Sequence, residues 1–151
     1  MLFRSLRSGM PKEELKSRLS VSPRLFTSLI RNLIKVESIH EVGPLISTPN
    51  HGIKFSPHQE QAIRLMQDRF QSSPYSPPSI KDTKAELGED VYNALVELDI
   101  LVPVSAEVVF RREDYNRIVA ELEDLFRSKG TLSAAQVRDH FNTSRRYVLA
   151  L

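Results

Sequence analysis

The sequence contains no cysteine, only five glycines and no long apolar run. Without cysteine the chain can form neither disulfides nor thiolate metal sites, and this composition is typical of a reducing compartment, so we expect a cytoplasmic protein. A membrane-spanning helix needs about eighteen consecutive apolar residues, and we therefore expect no membrane partner. The opening residues, MLFRSLRSGM, are too short and too polar for a secretory signal.

The sequence also lacks the patterns of common catalytic sites. No stretch resembles the phosphate-binding loop GxxxxGK[ST], and no serine lies in a GxSxG turn. The histidines are scattered along the chain, at His40, His51, His58 and His140. Because a zinc site needs several ligands close together, we expect no metal, no cofactor and no enzymatic activity in this chain. His51 is expected to pack or to form a hydrogen bond where a hairpin meets the next helix.

Charge is distributed unevenly along the chain. Residues 1–55 contain nine Lys/Arg and four Asp/Glu, residues 56–126 contain seven and fourteen, and residues 127–151 contain five and one. The two ends are therefore basic and the centre is acidic. A polyanion would bind the ends more readily, because phosphate contacts supply most of the non-specific attraction to nucleic acids. Each cluster taken alone is explained more simply as a solvated surface.

The apolar pattern predicts a structural unit that occurs three times along the chain. Each unit consists of helices followed by a two-stranded hairpin. This order is typical of a helix-turn-helix with a β wing, so we predict a mainly α fold with small β hairpins (α+β), built from tandem winged-helix domains. Residues 1–54 form a first segment whose first helix is largely missing, apart from a remnant near Leu2 to Leu6. Residues 55–111 form a complete middle segment. Residues 112–151 form a last segment that is truncated in its recognition helix.

Cap residues and apolar spacing locate the elements of the middle segment. Ser56 with Gln59 predicts a capping box, and the proline between them fits the first helical position. Shorter helices are expected over about 80–87 and 89–98, the second with Leu98 on its inner face. The run ILVPVSAEVVF then predicts two strands joined by a turn, because its apolar residues alternate.

The flanking segments carry similar signals. In the first segment, Ser22-Pro23 predicts a helix start, and a hairpin is expected around Gly43-Pro44. The expected inward stripe of that helix is Phe26, Leu29, Ile30 and Leu33. The last segment opens with a helix over 112–128 that ends at Gly130, and a capping box at Ser133 starts the next helix. Thr143 or Ser144 is expected to cap the final helix.

The end of the sequence falls inside this final helix. If the chain ended at Leu151, we expect that Phe126, Val137 and Phe141 would be poorly covered. We therefore predict that the chain is a piece of a longer protein, cut at both ends.

Two arginines, Arg145 and Arg146, lie in the first turn of the final helix. In a helix-turn-helix this turn reaches the nucleic acid, and arginine can bind a phosphate or a base edge with two hydrogen bonds. Tyr147 is expected either to stack on a base or to pack, and Ser144 adds a hydroxyl. A solvated helix start with a half-buried tyrosine explains the same residues equally well.

Three stretches together resemble the C-terminal winged-helix region of the bacterial selenocysteine-specific translation elongation factor. The run from Gly130 to Tyr147 resembles part of the family's last winged-helix domain and ends where that domain's recognition helix begins. RSGMPKEELKSRL resembles its second winged-helix domain, and TPNHGIKFS resembles the link that follows, with His51 at the matching position. The residues that match in the first of these runs are Gly130, Leu132, Val137, Arg138, Asp139, Thr143, Ser144, Arg145, Arg146 and Tyr147.

The resemblance implies a role in protein biosynthesis. The family delivers selenocysteinyl-tRNA to the ribosome at recoded UGA codons, and its last winged helix binds a hairpin in the messenger RNA, the selenocysteine insertion element. Carried over, the RNA-binding residues would be Ser144, Arg145, Arg146 and Tyr147, with Arg138 adding a phosphate contact. GTP, Mg²⁺ and the tRNA would be bound by domains that this sequence does not contain. We expect a monomer whose partners are the mRNA hairpin, the ribosome and, through those other domains, the tRNA.

Two other functions fit the same pattern. A winged-helix transcription regulator that binds DNA is one, although the acidic stretch EDVYNALVELD would repel DNA in the middle segment. A scaffold that binds protein is the other, and the acidic middle segment suits that role.

Overall fold

The computed structural model describes residues 6–151, and the chain divides into two compact units, Met1–Lys54 and Phe55–Leu151. The first unit corresponds to the first segment, and the second contains the middle and last segments together. The predicted mainly α fold with small antiparallel sheets is confirmed. The helix remnant expected near Leu2 to Leu6 falls, up to residue 5, outside the described residues.

The first unit is a helix-turn-helix followed by a wing. Helix α1 (Lys12–Leu19) leads to α2 (Pro23–Lys35), and strands β2 (His40–Val42) and β3 (Leu45–Ser47) form the predicted hairpin. A further strand, β1 (Met10–Pro11), pairs antiparallel with β3 and completes a sheet of order β1-β3-β2. The sequence did not predict β1, because two residues give no alternation to detect.

The α2 stripe is only half buried. Ser22 caps the helix as predicted, its hydroxyl accepting from the Leu25 amide at 3.4 Å. Phe26 and Ile30 are buried with Ile46 of β3, whereas Leu29 and Leu33 are each 39% exposed. The expectation that all four stripe residues face inward is therefore wrong for these two leucines. An apolar stripe marks a helix face, but it does not show how much of that face another element covers.

The middle segment has the predicted order of elements. Helices α3 (Pro57–Ser72), α4 (Ile80–Leu87) and α5 (Glu89–Glu97) precede strands β4 (Leu101–Pro103) and β5 (Val109–Arg111). Both halves of the predicted capping box form at the start of α3. The antiparallel strands are bonded to each other over all three residues. Leu98, expected to face inward, is 43% exposed because α5 ends just before it.

The last segment continues directly from the wing of the middle one. Helix α6 (Arg112–Lys129) follows β5 without a loop, and α7 (Ala134–Phe141) and α8 (Arg145–Ala150) complete it. Gly130 ends α6 at a positive φ of 75°, and the predicted capping box at Ser133 and Gln136 forms with bonds of 2.8 and 3.2 Å. A glycine tolerates that backbone conformation, which explains its place at the helix end.

The wing of the middle segment is buried on both of its faces. Side chains alternate along a strand, so Val109 and Phe110 point to opposite sides of the sheet, yet both are 0% exposed. Phe110 and Val108 pack with Ile118 of α6 and with Val137, Phe141 and Tyr147 of the last segment. The last segment therefore covers the outer face of the wing.

This packing corrects one expectation. Val137 and Phe141 were expected to be poorly covered, but they are 8% and 5% exposed because the middle segment covers them. Phe126, 51% exposed, is uncovered as expected.

A buried ion pair marks the junction between β5 and α6. Asp114 is 2% exposed and accepts two hydrogen bonds from the Arg111 guanidinium, at 2.7 and 2.9 Å. The hydrogen bond to Asp114 raises the pKa of Arg111 above its ordinary value. The pair links the last residue of β5 to the first turn of α6.

Replacing Asp114 by Asn should destabilise the second unit by about 3 kcal/mol, because the partly buried Arg111 would keep its charge without a counter-ion. Urea unfolding measures the change. Glu113→Gln removes the same charge from an exposed neighbour and should cost less than about 0.5 kcal/mol. Equal costs for the two variants would contradict a structural role for the pair.

Candidate nucleic-acid interface

A tight turn of three residues joins α7 to α8. Asn142 adopts the left-handed conformation, with φ at 47°, which asparagine tolerates better than most residues. The backbone amide of Thr143 donates to the Arg138 carbonyl at 3.1 Å. The turn reverses the chain so that α8 begins beside the middle segment.

Thr143 is bonded to the loop between α3 and α4. Its hydroxyl donates to the Tyr75 carbonyl at 2.6 Å and lies 2.9 Å from the Ser76 hydroxyl. Ser144 therefore takes the cap position of α8, with an extended backbone and no capping bond from its side chain. Ser144 is exposed, and the predicted capping hydrogen bond from its side chain does not form.

Of the two roles expected for Tyr147, stacking on a base or packing inside the protein, the structure shows packing. The residue is 8% exposed, and its ring meets the Phe110 ring edge-on with centroids 6.3 Å apart. Its hydroxyl donates to the Pro77 carbonyl at 2.7 Å. The ring is thus unavailable to a nucleic-acid base in this structure.

Arg145 and Arg146 are both exposed at the start of α8. The Nη2 group of Arg146 donates to the Tyr147 hydroxyl at 2.7 Å, and the guanidinium carbon Cζ lies 4.8 Å from the centroid of the Tyr147 ring. Arg145 has no ion-pair partner among the described residues. Both guanidinium groups therefore lie on the surface at the first turn of α8, and that of Arg146 is held by Tyr147.

Arg138 lies one turn before the end of α7 and is exposed. Its Nε and Nη2 groups donate to Asp139 at 2.9 and 2.7 Å. A phosphate bound by Arg138 would compete with this carboxylate, which weakens the case for Arg138 relative to the two arginines of α8.

Residues of the α3–α4 loop complete the site, and no sequence pattern predicted their part in it. The Tyr75 ring lies 5.1 Å from the Phe141 ring, and its hydroxyl reaches Glu121 of α6 at 3.4 Å. Burial, with the Glu121 charge adding to it, raises the pKa of the Tyr75 phenol. The loop has no periodic pattern, and its partners lie 46 to 70 residues further along the chain, so no local signal was available.

His51 forms a hydrogen bond, as expected, between its Nε2 and the Arg7 carbonyl at 2.7 Å. Within residues 6–151, no three His, Asp or Glu side chains are grouped closely enough to hold a metal ion. No helix in the described part of the chain is both long and apolar enough to cross a membrane.

Two family models match the chain, each described as a winged helix of elongation factor SelB. The model for the second winged helix matches residues 4–47, and the model for the third matches residues 124–151. The two matched stretches, which together cover less than half of the chain, are similar to SelB winged-helix domains. The middle segment, with helices α3 to α5 and strands β4 and β5, lies between the two matched stretches.

A solved structure has a similar fold. The crystal structure of a bacterial selenocysteine-specific elongation factor, EF-Sec, aligns with 95% of this chain at a TM-score of 0.52 and 16% sequence identity. The chain spans 23% of the length of that protein. No curated protein is similar enough in sequence to count as a match.

The two phenylalanines of the last segment allow a matched test of the packing. Phe141→Ala should destabilise the second unit by about 4 kcal/mol, since it opens a cavity between α7 and the middle segment. Phe126→Ala should cost less than about 1 kcal/mol, because that side chain is already half exposed. Chemical denaturation followed by circular dichroism gives both values, and similar costs would refute the packing described here.

Proposed function

We propose that this chain is part of a selenocysteine-specific elongation factor and that its last segment binds a hairpin in messenger RNA. The observation that carries the proposal is the exposed pair Arg145 and Arg146 at the start of α8, within a stretch that matches a SelB winged-helix model. The whole factor would deliver selenocysteinyl-tRNA to the ribosome at a recoded UGA codon. In this account the chain acts in the cytoplasm as a monomer.

The chemistry of α8 suits RNA. Each arginine offers several N–H donors in a planar fork, which matches a phosphate or the edge of a guanine. Sequence-specific RNA binding mostly uses the loops, bulges and ends of hairpins, where bases and phosphates are accessible. Ser144 would add a hydroxyl contact, and Arg138 would add a phosphate contact once Asp139 is displaced. Tyr147 would act indirectly, because its ring is buried.

The middle segment would act as a spacer rather than as a second reader. Its third helix, α5, begins with Glu89 and Asp90 and has no basic residue in its last turn. Such a surface repels phosphates. This charge pattern argues against an array of DNA-reading helices and favours one reading end, α8.

No cofactor is required for this role. GTP and Mg²⁺ would be bound by the GTPase domain of the whole factor, and the chain's own contribution would be binding rather than catalysis.

The double variant Arg145→Ala/Arg146→Ala should lower the affinity for the RNA hairpin at least about tenfold, because two guanidinium contacts are lost. The slope of log affinity against log salt should also fall by about 1.5, at roughly 0.7–0.9 per phosphate contact. Fluorescence anisotropy measures both quantities, with a hairpin taken from downstream of an in-frame UGA codon in the same genome.

Arg127→Ala is the matched control, since it removes a highly exposed arginine from the same basic segment but outside α8. It should change the affinity by less than about twofold. Unchanged hairpin binding by the double variant would reject the assignment of the site. Tighter binding to duplex DNA than to the hairpin at equal salt would instead favour a transcription regulator, and no binding to either would favour a protein scaffold.

A further inference from the structure

The Tyr147 hydroxyl lies in the middle of a short hydrogen-bond chain. It donates to the Pro77 carbonyl at 2.7 Å and accepts from Arg146 Nη2 at 2.7 Å. These two hydrogen bonds thus connect the backbone of the middle segment, through the buried Tyr147 side chain, to the exposed guanidinium of Arg146 on the last segment. Because the ring also lies beneath that guanidinium, Arg146 is held by two contacts from a single neighbour.

The acceptor at the start of this chain is itself fixed. The ring of Pro77 restricts its own φ angle, and Pro78 restricts the ψ angle of the residue before it. Pro77 is also among the fully buried residues. Its carbonyl therefore has little freedom to turn away from Tyr147.

Arg145 and Arg146 differ in this respect. Arg145 has no side-chain hydrogen bond or ion pair among the described residues, so no neighbour holds its guanidinium in one direction. Arg146 uses one of its five N–H donors on Tyr147 and keeps the others for a ligand. A side chain that is already held in one direction loses less conformational entropy when it binds.

We infer that Tyr147 is a positioning residue, which orients Arg146 toward the RNA and takes its own orientation from the Pro77 carbonyl. The inference rests on the proposed function, since it concerns an arginine assigned to the RNA site. It gives the middle segment an indirect part in RNA recognition, because the Pro77 carbonyl orients Tyr147 and Tyr147 orients Arg146. It also assigns different roles to the two arginines of α8. Arg146 makes an oriented contact with the RNA, and Arg145 contributes non-specific electrostatic attraction to phosphates.

A double-mutant cycle between Tyr147→Phe and Arg146→Ala tests the inference on the full chain. Tyr147→Phe keeps the ring and removes the hydroxyl, and it should weaken hairpin binding about threefold to tenfold. In the Arg146→Ala background the same change should cost less than about twofold, because there is no longer an arginine to orient. Tyr147→Phe should leave the salt slope unchanged, since no charge is removed.

Tyr115→Phe is the matched control. Tyr115 packs on the same core cluster, and its hydroxyl has no hydrogen-bond partner among the described residues. This variant should bind the hairpin as the unchanged chain does. Thermal unfolding of each variant confirms that the affinities are measured on folded protein.

Equal losses from Tyr147→Phe in both backgrounds would overturn the inference, since the hydroxyl would then act on α8 as a whole. No loss in either background would overturn it as well. Failure of the proposed function looks different: the unchanged chain would not bind the hairpin, or Arg145→Ala/Arg146→Ala would bind it as tightly. Either of those results would overturn both proposals.

Discussion

The second unit depends on the burial of both faces of the β4–β5 wing. An isolated two-stranded hairpin is at best marginally stable in water, and one with apolar residues on both faces needs a layer on each side. The helices of the middle segment lie on one side, and the last segment covers the other, where Val108 and Phe110 are buried. Burying each such side chain stabilises the fold by about 2 kcal/mol. The two segments therefore share one core.

This shared core has a consequence for the proposed RNA site. Helix α8 has only six residues and would be unstable alone, because isolated helices of that length do not form in water. Packing of Tyr147 against Phe110, with the bond from Thr143 to Tyr75, holds it in place. The positions of Arg145 and Arg146 are thus set by a neighbouring winged helix as well as by their own.

The elements that were predicted correctly are those with local causes. Capping residues such as Ser56 and Ser133 act on amides three residues away, and the alternation of ILVPVSAEVVF is complete within one hairpin. The location of Arg145 and Arg146 in the first turn of α8 was also predicted correctly, because it follows from the turn that precedes the helix. The proposed binding role of these residues stays a prediction.

The features that were missed depend on residues far apart in the sequence. Nothing near Phe141 indicates that Tyr75 covers it, and nothing near Tyr147 indicates that a proline carbonyl 70 residues earlier accepts its hydrogen bond. The prediction that all four apolar residues of the α2 stripe face inward was wrong for a related reason. Periodicity identifies an apolar face, whereas the exposure of Leu29 and Leu33 depends on which elements pack against that face.

Hydrogen–deuterium exchange of the chain with and without the RNA hairpin tests the central claim most directly, because it reports where the RNA binds without altering any residue. The account predicts slower exchange in the peptide that covers residues 138–148, from the end of α7 through the first turn of α8. Residues 89–97 of α5 should exchange at the same rate in both states. Protection confined to α5 or to the first unit, with none at 138–148, would contradict the account.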